Sequence, residues 1–212
     1  MRALRSIFAV CSSAAVLALS ACGHKTPNLD APQAQAALNT YFAARNPVCQ
    51  SFFAKWPVQV SAWDVQNYSY HAKRLAALED AGLVQYQITK IKPSGTPDAK
   101  GADLVEVKSY TLTPAGQAVY RNLGADNGQF CYASKTLDHI TSLSAVSTQG
   151  AEPTASVHYT YQLQNVAAWA ANAKMQEIFP ILQKELAGVG QEQNLDLRWR
   201  DKTWQVDPVA SL

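Results

Sequence analysis

The side chains best suited to chemistry in this 212-residue chain are four cysteines and four histidines. Cys11 lies in an apolar N-terminal run, Cys22 closes the tetrad Leu19-Ser20-Ala21-Cys22, and Cys49 and Cys131 lie in the body of the chain. A thiolate serves as nucleophile or metal ligand, and two thiols can be oxidised to a disulfide. The spacing favours none of the usual catalytic uses. There is no Cys-x-x-Cys, no His-Glu-x-x-His, no Gly-x-Ser-x-Gly and no phosphate-cradling glycine loop. Asp138-His139 is adjacent in sequence, but neighbours on a strand point to opposite faces, so no dyad is expected. His139 and His158 lack a clear third ligand, so no metal site is expected. The carboxylates are scattered, and no acid/base pair stands out. The expectation is a protein without cofactor or metal that is not an enzyme.

The cysteines gain meaning from the segment before them. Met1-Arg2-Ala3-Leu4-Arg5 is a short basic start, and Ile7 to Leu19 is mostly apolar and uncharged. That run is short of the roughly 20 apolar residues a membrane-crossing helix needs. A basic start, a short apolar core and small residues before a cut site make a secretory signal. Leu19-Ser20-Ala21-Cys22 resembles the bacterial lipobox, which implies a lipid anchor on Cys22 after removal of residues 1–21. The residue after it is Gly23 rather than Asp. By the same resemblance this implies the outer membrane, with the protein facing the periplasm. Acyl chains contribute about 0.8 kcal/mol per buried CH₂, so two or three hold a protein durably. In an oxidising compartment Cys49 and Cys131 are expected to pair, closing a loop of about 80 residues worth up to roughly 4–5 kcal/mol. The alternatives are two separate buried thiols, or a Cys nucleophile served by a histidine.

Charge narrows the partners. Removing residues 1–21 takes away Arg2 and Arg5 and no acid, so 18 Lys+Arg become 16 against 16 Asp+Glu. Nucleic-acid binding needs cations to neutralise phosphates, and a neutral body gives it no general support. The remaining 191 residues suffice for one large or two small domains.

Residues 22–29 read as a polar tether. Asp30-Ala31-Pro32-Gln33 has the cap, the first-turn proline and the returning Gln of a helix start. Ala34, Leu38, Tyr41, Phe42 and Arg45 then share a face, and Asn46-Pro47 ends the helix. Tyr68, Ala72, Leu75 and Leu78 mark a second helical face, with Gly82 past its end. Val84–Ile91 and Leu104–Leu112 read as strands around a Lys92–Gly101 loop, and Thr113-Pro114 opens a short helix. The run Arg74-Leu75-Ala76-Ala77-Leu78-Glu79-Asp80-Ala81-Gly82-Leu83-Val84, the hairpin, and Tyr110-Thr111-Leu112-Thr113-Pro114-Ala115-Gly116 resemble the second half of a MarR/PadR-type winged helix. The resemblance implies DNA contacts on Ser69, His71, Lys73 and Arg74, with Lys90, Lys92 and Lys100 at the wing. It departs from the family before Asp64, where residues 54–60 do not read as a helix. Glu79, Asp80, Asp98, Asp103 and Glu106 also offset the cations. The reading is therefore a winged-helix-like scaffold used without nucleic acid.

Residues 124–128 read as a linker or tight turn at the boundary between a 30–123 domain and a 129–212 domain. In the second, Gln129–Ser144 and Ala155–Leu163 are strands, the latter alternating apolar and polar. Asn165 can cap a helix that Pro180 kinks or restarts, and residues 195–206 form a terminal hairpin. This part weakly resembles cystatin-like and NTF2-like domains, in which a helix and sheet enclose a cleft. Trp169, Trp199, Trp204, Tyr159 and Tyr161 are its candidate lining. The fold class is α+β: an N-terminal helix plus a winged-helix-like domain, then a small antiparallel domain with one kinked helix. The expected function is a non-enzymatic interaction module with an envelope protein partner. Its candidate surface is Tyr70, Lys73, Arg74, Lys92 and Lys100. Small apolar ligand binding is the alternative, and DNA regulation a distant third.

Overall fold

One long strand carries two separate cores in the computed structural model, which describes residues 27–92, 104–124 and 126–207. In chain order the elements are α1 (Ala31–Arg45), β1 (Val48–Phe53), β2 (Val58–Ser61), α2 (Ala62–Gln66), α3 (Tyr70–Asp80), β3 (Val84–Ile91) and β4 (Val105–Leu112). Then come α4 (Pro114–Val119), β5 (Tyr120–Asn122), β6 (Asn127–Leu143), β7 (Thr154–Gln164), α5 (Ala173–Ile178), α6 (Pro180–Ala187), β8 (Gln193–Arg200) and β9 (Thr203–Val206). The class is α+β with antiparallel sheets.

The 17-residue β6 is the central element. Its first half is paired on both edges, since Phe130 lies opposite Gln50 of β1 and opposite Tyr120 of β5. Its second half pairs with β7, which leads on to β8 and β9. A smaller sheet has the order β2-β4-β3. The 58–119 segment is thus an excursion between two strands that flank β6.

Helix α1 forms because its N-terminus is satisfied locally. Asp30 accepts from the Gln33 backbone and Gln33 returns to the Asp30 backbone, with Pro32 in the first turn. Its Ala34, Ala37, Leu38 and Phe42 pack on Ala155, Val157, Tyr159, Tyr161, Leu195, Leu197 and Trp204. Each large side chain buried there contributes about 1.5–3 kcal/mol. The N-terminal helix therefore belongs with the C-terminal sheet, and packing does not follow a division into 30–123 and 129–212. Of the two readings of residues 124–128, the hydrogen bonds from Asn127 N–H to the Gly124 carbonyl and from Leu123 N–H to the Asn127 carbonyl give the tight turn, which joins β5 to β6.

The second core joins the small sheet to the large one. Val58, Leu75, Leu78, Val84 and Tyr110 meet Phe52 and Phe130 from β1 and β6, and Met175, Phe179 and Leu182 from α5 and α6. The helix expected from residue 165 is two short ones, restarted rather than kinked at Pro180. Asn165 adopts a left-handed conformation that turns the chain out of β7, and Asn172 caps α5. Pro180 then starts α6 with Phe179 as the junction.

Candidate interaction surface

The β2-to-β3 segment builds its surface from small capping devices. Ser61 and Asp64 form a reciprocal capping box that starts α2. The Ser61 hydroxyl, donating to Asp64 Oδ2 at 2.6 Å, and then the Ser61 N–H hold the Asp64 carboxyl below the usual carboxylate range. At five residues α2 buries none of its side chains, so Trp63 and Val65 stay on the outside. Tyr68 takes a left-handed backbone, uncommon for a bulky residue, in the turn before Ser69 caps α3. Tyr68 therefore lies outside the helix whose face it was expected to share, while Ala72, Leu75 and Leu78 are buried as expected.

The result is a gathering of exposed apolar side chains, Val65, Tyr68 (74 % exposed) and Ile88 (59 %), with Trp63 (68 %) and Tyr70 (64 %) exposed next to them in sequence. Two hollows of about 300 and 200 Å³ lie here and share Val60, Val65 and Lys108. Lys73 sits over the Tyr68 ring at 5.6 Å, and Lys108 over the Tyr86 ring at 3.9 Å. Lys90 pairs with Glu106 at 3.8 Å, and the Tyr110 hydroxyl donates to Glu79 at 3.2 Å. Exposed apolar side chains gathered in this way mark interaction sites, whereas isolated ones do not.

The expected surface residues divide. Tyr70, Lys73 and Lys92 are exposed, and Lys100 lies outside the described residues. Arg74 is a correction, being only 7 % exposed. Its guanidinium lies 4.8 Å from the ring centres of Phe52 and Phe179 and 5.2 Å from that of Tyr70, and donates to the Ser51 carbonyl. Helix α3 is docked on β1 and α5 through this side, so Arg74 holds elements together and cannot touch a partner. Beside it, burial and then the Arg74 charge push the His71 imidazole below its ordinary range, while Asp64 pulls the other way.

The five aromatics expected to line one cleft fall into two cores. Tyr159, Tyr161 and Trp204 are buried under α1, and half-buried Trp199 packs edge-on to Trp204 at 5.5 Å. Trp204 Nε1–H donates to the Asn28 carbonyl at 3.0 Å, fixing the start of the described chain beside β9. Trp169 packs in the other core against Phe130 and Tyr132. The sheet face that carries Tyr159, Tyr161 and Trp204 is packed against Ala34, Ala37, Leu38 and Phe42 of α1.

Asp138 and His139 also differ from expectation. A register shift between Leu137 and His139 breaks the alternation, and both side chains reach Thr160 at 2.9 Å. Asp138 Oδ2 and Thr160 Oγ1 meet the same ring nitrogen, Nδ1. A nucleophile–base–orienter relay needs both ring nitrogens, so this is no triad. Among the described residues no cluster of three His, Cys, Asp or Glu is arranged to hold a metal. Cys49 and Cys131 are paired in register and joined, with an S–S distance of 2.08 Å.

Gly116 explains part of the Leu112–Gly116 motif. A Cβ there would lie 1.9 Å from the Leu83 carbonyl oxygen. Thr113 caps α4 and its hydroxyl also donates to the Gly82 carbonyl at 2.7 Å. The glycine lets α4 seat directly on the turn that follows α3.

Trp63, Val65 and Ile88 were not among the expected surface residues. The available signal was Ser61-x-x-Asp64, a capping box whose helix is too short to bury its apolar residues. Comparison of the chain with protein-family models, with curated proteins and with solved structures returns no match.

Proposed function

We propose that this chain is an exported lipoprotein, held on the bacterial outer membrane by an acylated Cys22, whose body is a protein-interaction module of the cell envelope. The observation that carries the reading is the set of exposed apolar side chains Val65, Tyr68 and Ile88 that line two adjoining hollows, with exposed Trp63 and Tyr70 beside them in sequence. The partner is an envelope protein with a complementary apolar surface. The element order α2–α3–β3–β4–α4 supports a winged-helix-like scaffold, and burial of Arg74 supports its use without nucleic acid. The position of the surface fits an anchored protein. The chain enters beside β9, at the opposite end of the large sheet's strand order from β1, through which the small sheet is joined.

The test combines address and surface. Palmitate labelling and outer-membrane fractionation should be lost in Cys22→Ala. Chemical crosslinking of envelopes should give a discrete complex that is lost when Trp63, Tyr68 and Ile88 are all changed to Ser. Retention of that complex by the triple variant, or absence of acylation in the unaltered protein, contradicts the proposal.

A further inference from the structure

The Cys49–Cys131 bond lies at a cleft that the interaction surface does not use. The cleft encloses about 310 Å³ between the end of α1, β1 and β6, and its walls include Tyr41, Arg45, Gln129, Lys135, Glu185 and Cys49. Cys131 is not part of this lining. The β1–β6 register shifts between Val48 and Cys49, and such a bulge re-aims the side chain next to it. Both cysteines are half-buried, and Cys49 borders the cleft by which a small reagent would approach. On either side of it the strands are pinned independently. Gln50, Ser51, Phe52 and Phe53 face Phe130 to Asn127, and the Asn46 side chain makes two hydrogen bonds with the Lys135 backbone.

The charges select the reagent. Arg45 is exposed, lies 3.7 Å from the Tyr41 ring centre, and has no ion-pair partner among the described residues. Lys135 pairs with Glu185 at 2.7 Å, so the cleft keeps one cation in excess.

We propose that this cleft is a thiol–disulfide exchange site for small thiols that carry carboxylates. The incoming thiolate attacks Cys49 Sγ, the sulfur that lines the cleft. A mixed disulfide forms on Cys49, the Cys49–Cys131 bond breaks, and Cys131 leaves as a thiolate that takes a proton from water. A second thiolate then attacks the external sulfur of the mixed disulfide, releasing the oxidised small molecule and the Cys49 thiolate. Two thiols are oxidised to one disulfide, and the protein disulfide is reduced to two thiols. Because the flanking register holds the strands, the cysteines stay opposite each other and the step reverses. Exposed disulfides are the exchangeable ones, and attack depends on which sulfur is reached.

The experiment follows reduction of the oxidised, folded protein by glutathione, whose attacking thiolate is a net anion, and by cysteamine, whose attacking thiolate is a zwitterion of no net charge. Samples are alkylated and weighed by mass spectrometry, and rates are normalised to thiolate concentration. The proposal expects a rate first order in thiol and at least 3-fold faster with glutathione. Arg45→Gln should remove that preference while leaving the cysteamine rate unchanged. In Cys131→Ser, oxidised glutathione should modify Cys49, and several-fold faster than it modifies Cys131 in Cys49→Ser. A rate independent of thiol concentration, equal rates for both thiols, or faster modification of Cys131 overturns it.

Discussion

Changing Phe42 tests the packing of α1 on the C-terminal sheet, on which the whole arrangement depends. Phe42 is buried, and its ring lies 5.7 Å from that of Tyr159 on β7. Phe42→Ala removes a large core side chain, and such changes cost about 3–5 kcal/mol. Domains of this kind are stable by about 5–15 kcal/mol in total, so the loss is easily measured. Partnership is tested by a milder cycle of Phe42→Leu and Tyr159→Leu. An aromatic pair in contact contributes about 0.5–1.5 kcal/mol beyond area burial, and that is the expected coupling. Phe42→Leu combined with Leu78→Ala should instead be additive within about 0.5 kcal/mol, because Leu78 lies in the other core. The assay is urea unfolding of the oxidised protein followed by tryptophan fluorescence. A cost below about 1 kcal/mol for Phe42→Ala, or stronger coupling to Leu78 than to Tyr159, would refute the placement of α1.

Three other perturbations follow from single features. Gly116→Ala must displace α4 or the Leu83 carbonyl, since the added Cβ would sit 1.9 Å from that oxygen, and it should cost at least about 2 kcal/mol by urea midpoint. His71 is held below its ordinary value of 6.5 by burial, so the unfolded chain takes up that proton first. Its contribution to stability is complete above pH 6.5 and is lost as pH falls from there through the lower folded value. The stability difference between the unaltered protein and His71→Gln should therefore shift against the unaltered protein between pH 7.5 and 5, whereas a constant difference would remove the assignment. Replacing Cys49 and Cys131 together by Ser opens a crosslink of sequence separation 82. It should lower stability by up to about 4–5 kcal/mol on chain entropy. The flanking strand pairs should keep the folded circular dichroism spectrum unchanged.

What the sequence made legible was local. The Asp30–Gln33 capping box placed the start of α1, and Asn46-Pro47 its end. Alternation in Ala155–Tyr161 identified the buried face of β7, and the hairpin 193–206 turns at Asp201-Lys202, both of which adopt positive φ. Partnership was not legible. The α1 periodicity shows that Ala34, Leu38 and Phe42 share a face, but an apolar stripe does not say which sheet will cover it. Segment 48–53 carries apolar and polar residues on both faces because β1 pairs along β6 while contributing Phe52 to a core, so it reads as a cluster rather than a strand. Arg74 was misplaced for a similar reason. A guanidinium is expected in water, and only the convergence of Phe52, Tyr70, Phe179 and the Ser51 carbonyl makes its burial tolerable. The candidate surface was legible at Tyr70 and Lys73. Two of its apolar residues, Trp63 and Val65, were hidden in α2, which is too short to show a helical period.

The central claim is that the face bearing Trp63 meets a protein partner in the cell envelope. The most direct measurement places a photoreactive benzoylphenylalanine at position 63 in the protein expressed with residues 1–21 in place, with position 202, on the exposed β8–β9 turn, as control. Irradiation of intact cells should give an adduct of discrete mass from position 63 and none from position 202, and Tyr68→Ser with Ile88→Ser should abolish it. No adduct from position 63, or the same adduct from both positions, would contradict the account.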